Sequence, residues 1–142
     1  MNRVSRGKVL VGEIAGDLIT ATYRQNANAS LADEAFFIAD RSYDVVAVAQ
    51  IHSAAGTDAG AVNLQVTKDT GTAAPGAGTD LLTNNANAGF NLKGTANTVQ
   101  NGTLVSSAAT KRLAVGNRLS VDFAGVLTAL AGVVVTVTLR RL

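Results

Sequence analysis

The chain has 142 residues, 12 Lys and Arg against 10 Asp and Glu, a formal charge of +2, no cysteine and no tryptophan. That length suits one domain burying roughly two-thirds of its extended surface, and the absence of cysteine excludes disulfides and thiolate metal sites. Charged residues make up only 15% of the chain, and its adjacent basic pairs are Lys111-Arg112 and Arg140-Arg141, unlike the clustered Lys and Arg of a nucleic-acid binder.

In chain order, residues 1–12 mix Arg3, Arg6 and Lys8 with Val9, Leu10 and Val11. They read as an extended arm with a short strand near Lys8–Val11, followed by one β-domain over 13–142. The segment lacks the apolar core of a secretory leader. Asp17–Arg24 alternates, with Ile19, Ala21 and Tyr23 on one face and Leu18, Thr20 and Thr22 on the other. Gln25–Ser30 is a loop by composition, and Leu31–Glu34 reads as one helical turn with Ser30 as its N-cap. Ala35–Ile38 is a short apolar strand, Asp40-Arg41-Ser42 a break, and Tyr43–Ser53 a long strand. After the Ala54–Gly60 loop, Ala61–Lys68 alternates cleanly, Val62, Leu64 and Val66 inward and Asn63, Gln65 and Thr67 outward.

Asp69–Asp80 holds three glycines and the only proline, Pro75, and is expected to be a surface loop. Leu81–Thr83 is a brief apolar patch and Asn84–Gly89 a turn. Phe90–Leu92, Asn97–Gln100, Thr103–Ser106 and Leu113–Val115 are short strand candidates. Arg118–Phe123 sets Leu119, Val121 and Phe123 against Arg118, Ser120 and Asp122. Val133–Leu139 sets Val133, Val135, Val137 and Leu139 against Val134, Thr136 and Thr138. Residues 125–132 read as a hairpin-like turn between these two strands, too apolar for a solvated loop. No apolar run reaches the roughly 18 residues of a membrane span. Eight to ten short strands with frequent turns predict an all-β antiparallel sandwich of jelly-roll type, extended by the N-terminal arm.

Little in the chain points to catalysis. His52 is the single histidine, on the strand face shared with Val48 and Gln50, and reads as an ordinary strand residue. A hydrolase would need it beside a carboxylate, and such groupings are defined by geometry rather than sequence proximity. The carboxylates are scattered singly, and the calcium-loop pattern is missing. A metal held by Asp58 or Asp80 with loop carbonyls is the minor reading beside ordinary turn chemistry. The glycine-rich loops lack the ending of a phosphate-binding loop. Four Phe and two Tyr, not interleaved with basic residues, offer no stacking platform for single-stranded nucleic acid. The residues therefore predict no catalytic residues, cofactor or metal, and a structural or interaction domain.

Three ordered blocks carry a resemblance: FFIADRSYDVVAVAQIHSAAGTDAGAVNLQVTKDTGTAAPGAGTDLLT (Phe36–Thr83), FNLKGTANTVQNGTL (Phe90–Leu104) and RLSVDFAGVLTALAGVVVTVTL (Arg118–Leu139). Together they resemble the small head decoration, or cement, proteins of tailed bacteriophages; residues 1–35 lie outside the likeness. The resemblance implies a virion structural protein, made in the host cytoplasm and seated on the outer capsid surface. It would be a homotrimer clamping neighbouring major capsid subunits, with many weak contacts multiplied by symmetry. In that setting Val9, Leu10 and Val11 would add a strand to a capsid sheet edge, and Arg3, Arg6 and Lys8 would meet acidic capsid residues. The competing expectation is that the arm folds back on its own sandwich. Leu127 and Leu130, in the apolar turn, are the candidate subunit contacts. The alternative function is a head-fibre or glycan- and receptor-binding module on the virion surface, which loop Trp or clustered Tyr would favour and this chain lacks.

Overall fold

In the computed structural model, which describes residues 17–25 and 32–142, ten strands form two antiparallel sheets. They are β1 (Leu18–Arg24), β2 (Glu34–Ile38), β3 (Tyr43–Ile51), β4 (Asn63–Asp69), β5 (Thr79–Asp80), β6 (Phe90–Asn91), β7 (Gln100–Asn101), β8 (Arg112–Leu113), β9 (Arg118–Ala124) and β10 (Val134–Arg141). The first sheet has the order β1-β10-β3, with β7 and β8 both on the outer edge of β3. The second has the order β2-β9-β4, with β5 and β6 both on the outer edge of β4. Each sheet is thus three long strands and a broken fourth, cut short where glycine and asparagine interrupt the β pattern. Strands β1 to β4 alternate between the sheets, β9 returns to pair with β4, and β10 crosses to the first sheet.

Burial follows the alternation. Ala21 and Tyr23, Val45 and Val48, Leu64 and Val66, Leu119 and Val121, and Val135, Val137 and Leu139 all point into one cluster between the sheets. Tyr23 closes the β1–β2 side, its ring edge-on to Phe36 and Phe123 with centroids 6.1 Å away in each case. The odd spacing of inward residues in β3 comes from a bulge. Leu139 faces Val45 and Thr138 faces Ala47, so Val46 is the extra residue, and Tyr43, Val45, Val48 and Gln50 all stay buried.

Several expectations are corrected. Glu34 opens β2, opposite Val121, instead of ending a helical turn, because Asp33 accepts the Phe123 amide through Oδ1 at 2.8 Å and ties this segment to β9. Ser30 and Leu31, with the rest of that turn's start, lie outside the described residues, as do residues 1–12. The strand from Tyr43 ends at Ile51, and β4 starts at Asn63 and continues to Asp69. Leu104 makes only an isolated bridge, to Leu82. A four-residue helix, α1 (Ala108–Lys111), precedes β8, with Ser107 Oγ accepting the Thr110 amide at 3.2 Å. The 125–132 segment is no hairpin: β9 and β10 belong to different sheets, so it crosses over the end of the sandwich.

The Asn84–Asn87 turn is left-handed, with φ of 49°, 55° and 75° at Asn85, Ala86 and Asn87. Such residues cost about 1–2 kcal/mol each, less for asparagine. It leads into Gly89 (φ 89°), where a Cβ would lie 2.0 Å from the Leu64 carbonyl oxygen. Gly89→Ala is therefore expected to destabilise the protein by about 3 kcal/mol through combined backbone strain and overpacking, measured by urea unfolding.

Candidate interaction surface

The outward faces of the two sheets differ in chemistry. On the first sheet, Thr20 and Thr22 pair with Thr138 and Thr136, which in turn face Ala47 and Ala49. The result is a flat face of small, uncharged side chains. On the second sheet, outward residues of β4 and β9 are covered. Gln65 and Thr67 were expected to face outward to solvent, yet both are buried. The Gln65 amide donates to the carbonyls of Leu82 (3.0 Å) and Asn87 (2.6 Å), and its oxygen accepts the Leu82 and Val66 amides. A side chain able to satisfy four backbone groups draws the 82–87 segment down onto it.

Asp69 organises the neighbouring loop. It is fully buried and accepts from the Thr67 hydroxyl (2.9 Å), the Ser120 hydroxyl, and the amides of Gly76 (3.2 Å) and Gly78 (2.9 Å). Arg118 holds the same loop by donating to the carbonyls of Gly71 and Ala73. Gly78 has no room for a side chain, since a Cβ there would sit 2.1 Å from the Lys68 carbonyl oxygen. The low-complexity stretch thus folds back onto the sheet and confines several carboxylates. Burial raises the pKa of Asp122, with Asp33, Asp80 and Asp69 adding repulsion, and burial also raises that of Asp80.

The residues weighed for chemistry are in structural roles. His52 is buried just past β3, with Nδ1 2.9 Å from Gln50 Oε1 and Nε2 3.0 Å from the Gly94 carbonyl oxygen; both ring nitrogens are engaged within the protein. The Asp58 carboxylate accepts the Gly60 amide, while the carbonyls of Asp58, Ala59 and Gly60 accept from the Lys93 ammonium at 2.6, 3.4 and 3.0 Å. The carbonyls that would serve a metal therefore already surround the chain's own cation. Leu130 is buried and Leu127 is partly buried against the core. Both cover the interior of one subunit beneath the crossover, where Ala131 bridges Ala54, so the apolar character of this turn is spent inward. The exposed large apolar residue of that turn is Val126. Arg3, Arg6, Lys8, Val9, Leu10 and Val11 lie outside the described residues.

One end of the sandwich, called the lower end, is formed by residues 38–43 and 113–118 with the start of β1 and the end of β10. Ala39 exchanges backbone hydrogen bonds with Asn117 and Gly116, Arg141 donates its amide to the Asp17 carbonyl, and Leu142 donates its amide to the Ser42 carbonyl. Leu18, Ile38, Val115 and Leu142 are each between 51% and 70% exposed here. Two shallow depressions adjoin this end. One, of about 400 Å³, is lined by Ala35, Phe36, Phe37, Ile38 and Arg118. The other, of about 370 Å³, is lined by residues including Asp44, Val46, Lys111, Arg112 and Arg140. Asp17 pairs with Arg141 at 2.9 Å, and Asp44 with Arg112. Sequence reading passed over this cluster because its members stand far apart in the chain. The local sign was an apolar residue at a strand end beside a polar break, as Ile38 precedes Asp40-Arg41.

No family model, curated protein or solved structure matches this chain.

Two outcomes follow from these placements. Because the folded carboxyl of Asp122 holds its proton more tightly than the unfolded one, its contribution favours folding increasingly as pH falls from neutral through the raised value. Asp122→Asn is expected to raise the thermal midpoint at pH 7, with the gain over wild type shrinking as pH falls through the raised value and gone well below about pH 4, where the carboxyl is protonated in both states. Leu130→Ala should cost about 2–5 kcal/mol, and Val126→Ser less than about 0.5 kcal/mol, both measured by denaturant unfolding.

Proposed function

We propose that this chain is a virion structural protein that decorates and stabilises the outer surface of a tailed-phage capsid by bridging neighbouring major capsid subunits, as a homotrimer. The observation that carries the reading is where the resemblance falls. Phe36–Thr83 spans most of β2 and all of β3, β4 and β5, Phe90–Leu104 spans β6 and β7, and Arg118–Leu139 spans β9 and most of β10. The likeness to decoration proteins therefore lies on the strands that build both sheets. The strand orders β1-β10-β3 and β2-β9-β4, with a broken fourth strand on each sheet, support a jelly-roll connectivity.

Function in this reading is binding. A rigid β-sandwich with a largely small-residue, uncharged face on its first sheet presents contacts at little cost in side-chain entropy, and repetition over a symmetric shell converts modest contacts into tight decoration. The covered outer face of the second sheet stiffens the same unit.

Purified full-length protein is expected to co-sediment saturably with expanded heads lacking their decoration protein, and to raise the temperature at which those heads release DNA. Absence of saturable binding would overturn the reading.

A further inference from the structure

We infer that the lower end of the sandwich, centred on Leu18, Ile38, Val115 and Leu142, docks on an acidic protein surface with an apolar centre; within the decoration reading, on which this rests, that surface is the outer face of the capsid shell. Six large hydrophobic side chains are exposed among the described residues, and four of them gather at this one end. Val99 and Val126, the other two, are remote from it: Asn97, two residues before Val99, donates its amide to the His52 carbonyl, and Val126 lies in the crossover that bridges Ala54. Scattered exposed apolar residues are ordinary, whereas a gathered group with a polar rim marks an interface. The depression beside Ile38 continues the apolar surface along β2.

Charge decides the kind of partner. At this end Arg41, Lys68, Lys111, Arg112, Arg118, Arg140 and Arg141 stand against Asp17, Asp40, Asp44 and Asp69. Two of these carboxylates pair with Arg112 and Arg141, and Asp40 accepts the Tyr43 hydroxyl. Elsewhere in the described residues the balance reverses, with Arg24 and Lys93 against Asp33, Glu34, Asp58, Asp80 and Asp122. The sandwich is therefore polarised, its apolar cluster lying at the cationic pole. A second copy docked through the same end would set these cations against one another, which costs affinity and slows association. An acidic surface meets both features.

The test compares three double variants with wild type in co-sedimentation with expanded, undecorated heads, each checked by thermal melting. Ile38→Ser with Val115→Ser is expected to weaken binding by about tenfold or more with an unchanged melting temperature. Arg41→Glu with Arg140→Glu should weaken it and flatten its salt dependence. Val99→Ser with Val126→Ser should stay within about twofold of wild type. If the Val99/Val126 pair loses binding and the Ile38/Val115 pair keeps it, the docking end is overturned and decoration stands. If wild type itself does not bind heads, decoration falls and the capsid as occupant falls with it. Sedimentation velocity covers the remaining occupant: dissociation of the wild-type oligomer by Ile38→Ser with Val115→Ser would make the end a self-contact and overturn the proposal.

Discussion

The inward row of β10 is the constraint on which the rest of the structure depends. Val135, Val137 and Leu139, with Val133 just ahead of the strand, are all completely buried, and full burial of such side chains stabilises by about 1.5–3 kcal/mol each. β10 also lies between β1 and β3. It joins the first described strand to the middle of the chain, in register from Leu18–Arg140 to Arg24–Val134 on one side and from Tyr43–Arg141 to Ile51–Val134 on the other. A shift of one residue would turn that whole row toward solvent, so the pairing admits a single register. The bulge at Val46 absorbs the single mismatch between the apolar patterns of β3 and β10.

The opposite sheet is held partly by polar chemistry. Gln65, Thr67, Asp69 and Ser120 are buried on its outward side, a position that would be costly without partners. Asp69 and Gln65 each recruit backbone groups from the segment that covers them. A glycine-rich stretch without helical or strand propensity thereby acquires one conformation, because a single path brings the Gly76 and Gly78 amides to Asp69 and the Gly71 and Ala73 carbonyls to Arg118. This explains why the two outer faces differ so much: the first sheet shows small uncharged residues directly, while the second is roofed by its own chain.

That asymmetry, together with the polarised charge, leaves the ends of the sandwich as the places where the molecule differs most from itself. The upper end is closed by the crossover with Leu127 and Leu130 turned inward and by Lys93 binding the 58–60 carbonyls. The lower end leaves apolar side chains uncovered beside cations.

The sequence by itself determined the class of fold and most of the long strands, because a half-buried strand imprints a period of two on its own residues. Ile19, Ala21 and Tyr23, and Val133, Val135, Val137 and Leu139, are inward as their alternation requires. Weaker signals were legible only in retrospect: Ser107 as the cap of α1, or Glu34 as strand and not helix. What the tertiary structure alone decided is everything set by residues distant in the chain. It assigned β9 and β10 to different sheets, which turned a supposed hairpin into a crossover and placed Leu130 in the core. It buried Gln65 under the 82–87 segment and Thr67 beside Asp69 and the loop that Asp69 holds. It also gathered Leu18, Ile38, Val115 and Leu142 at one cationic end. Periodicity reports only which side of its own strand a residue occupies; what lies against that side is set by long-range pairing, which leaves no local mark.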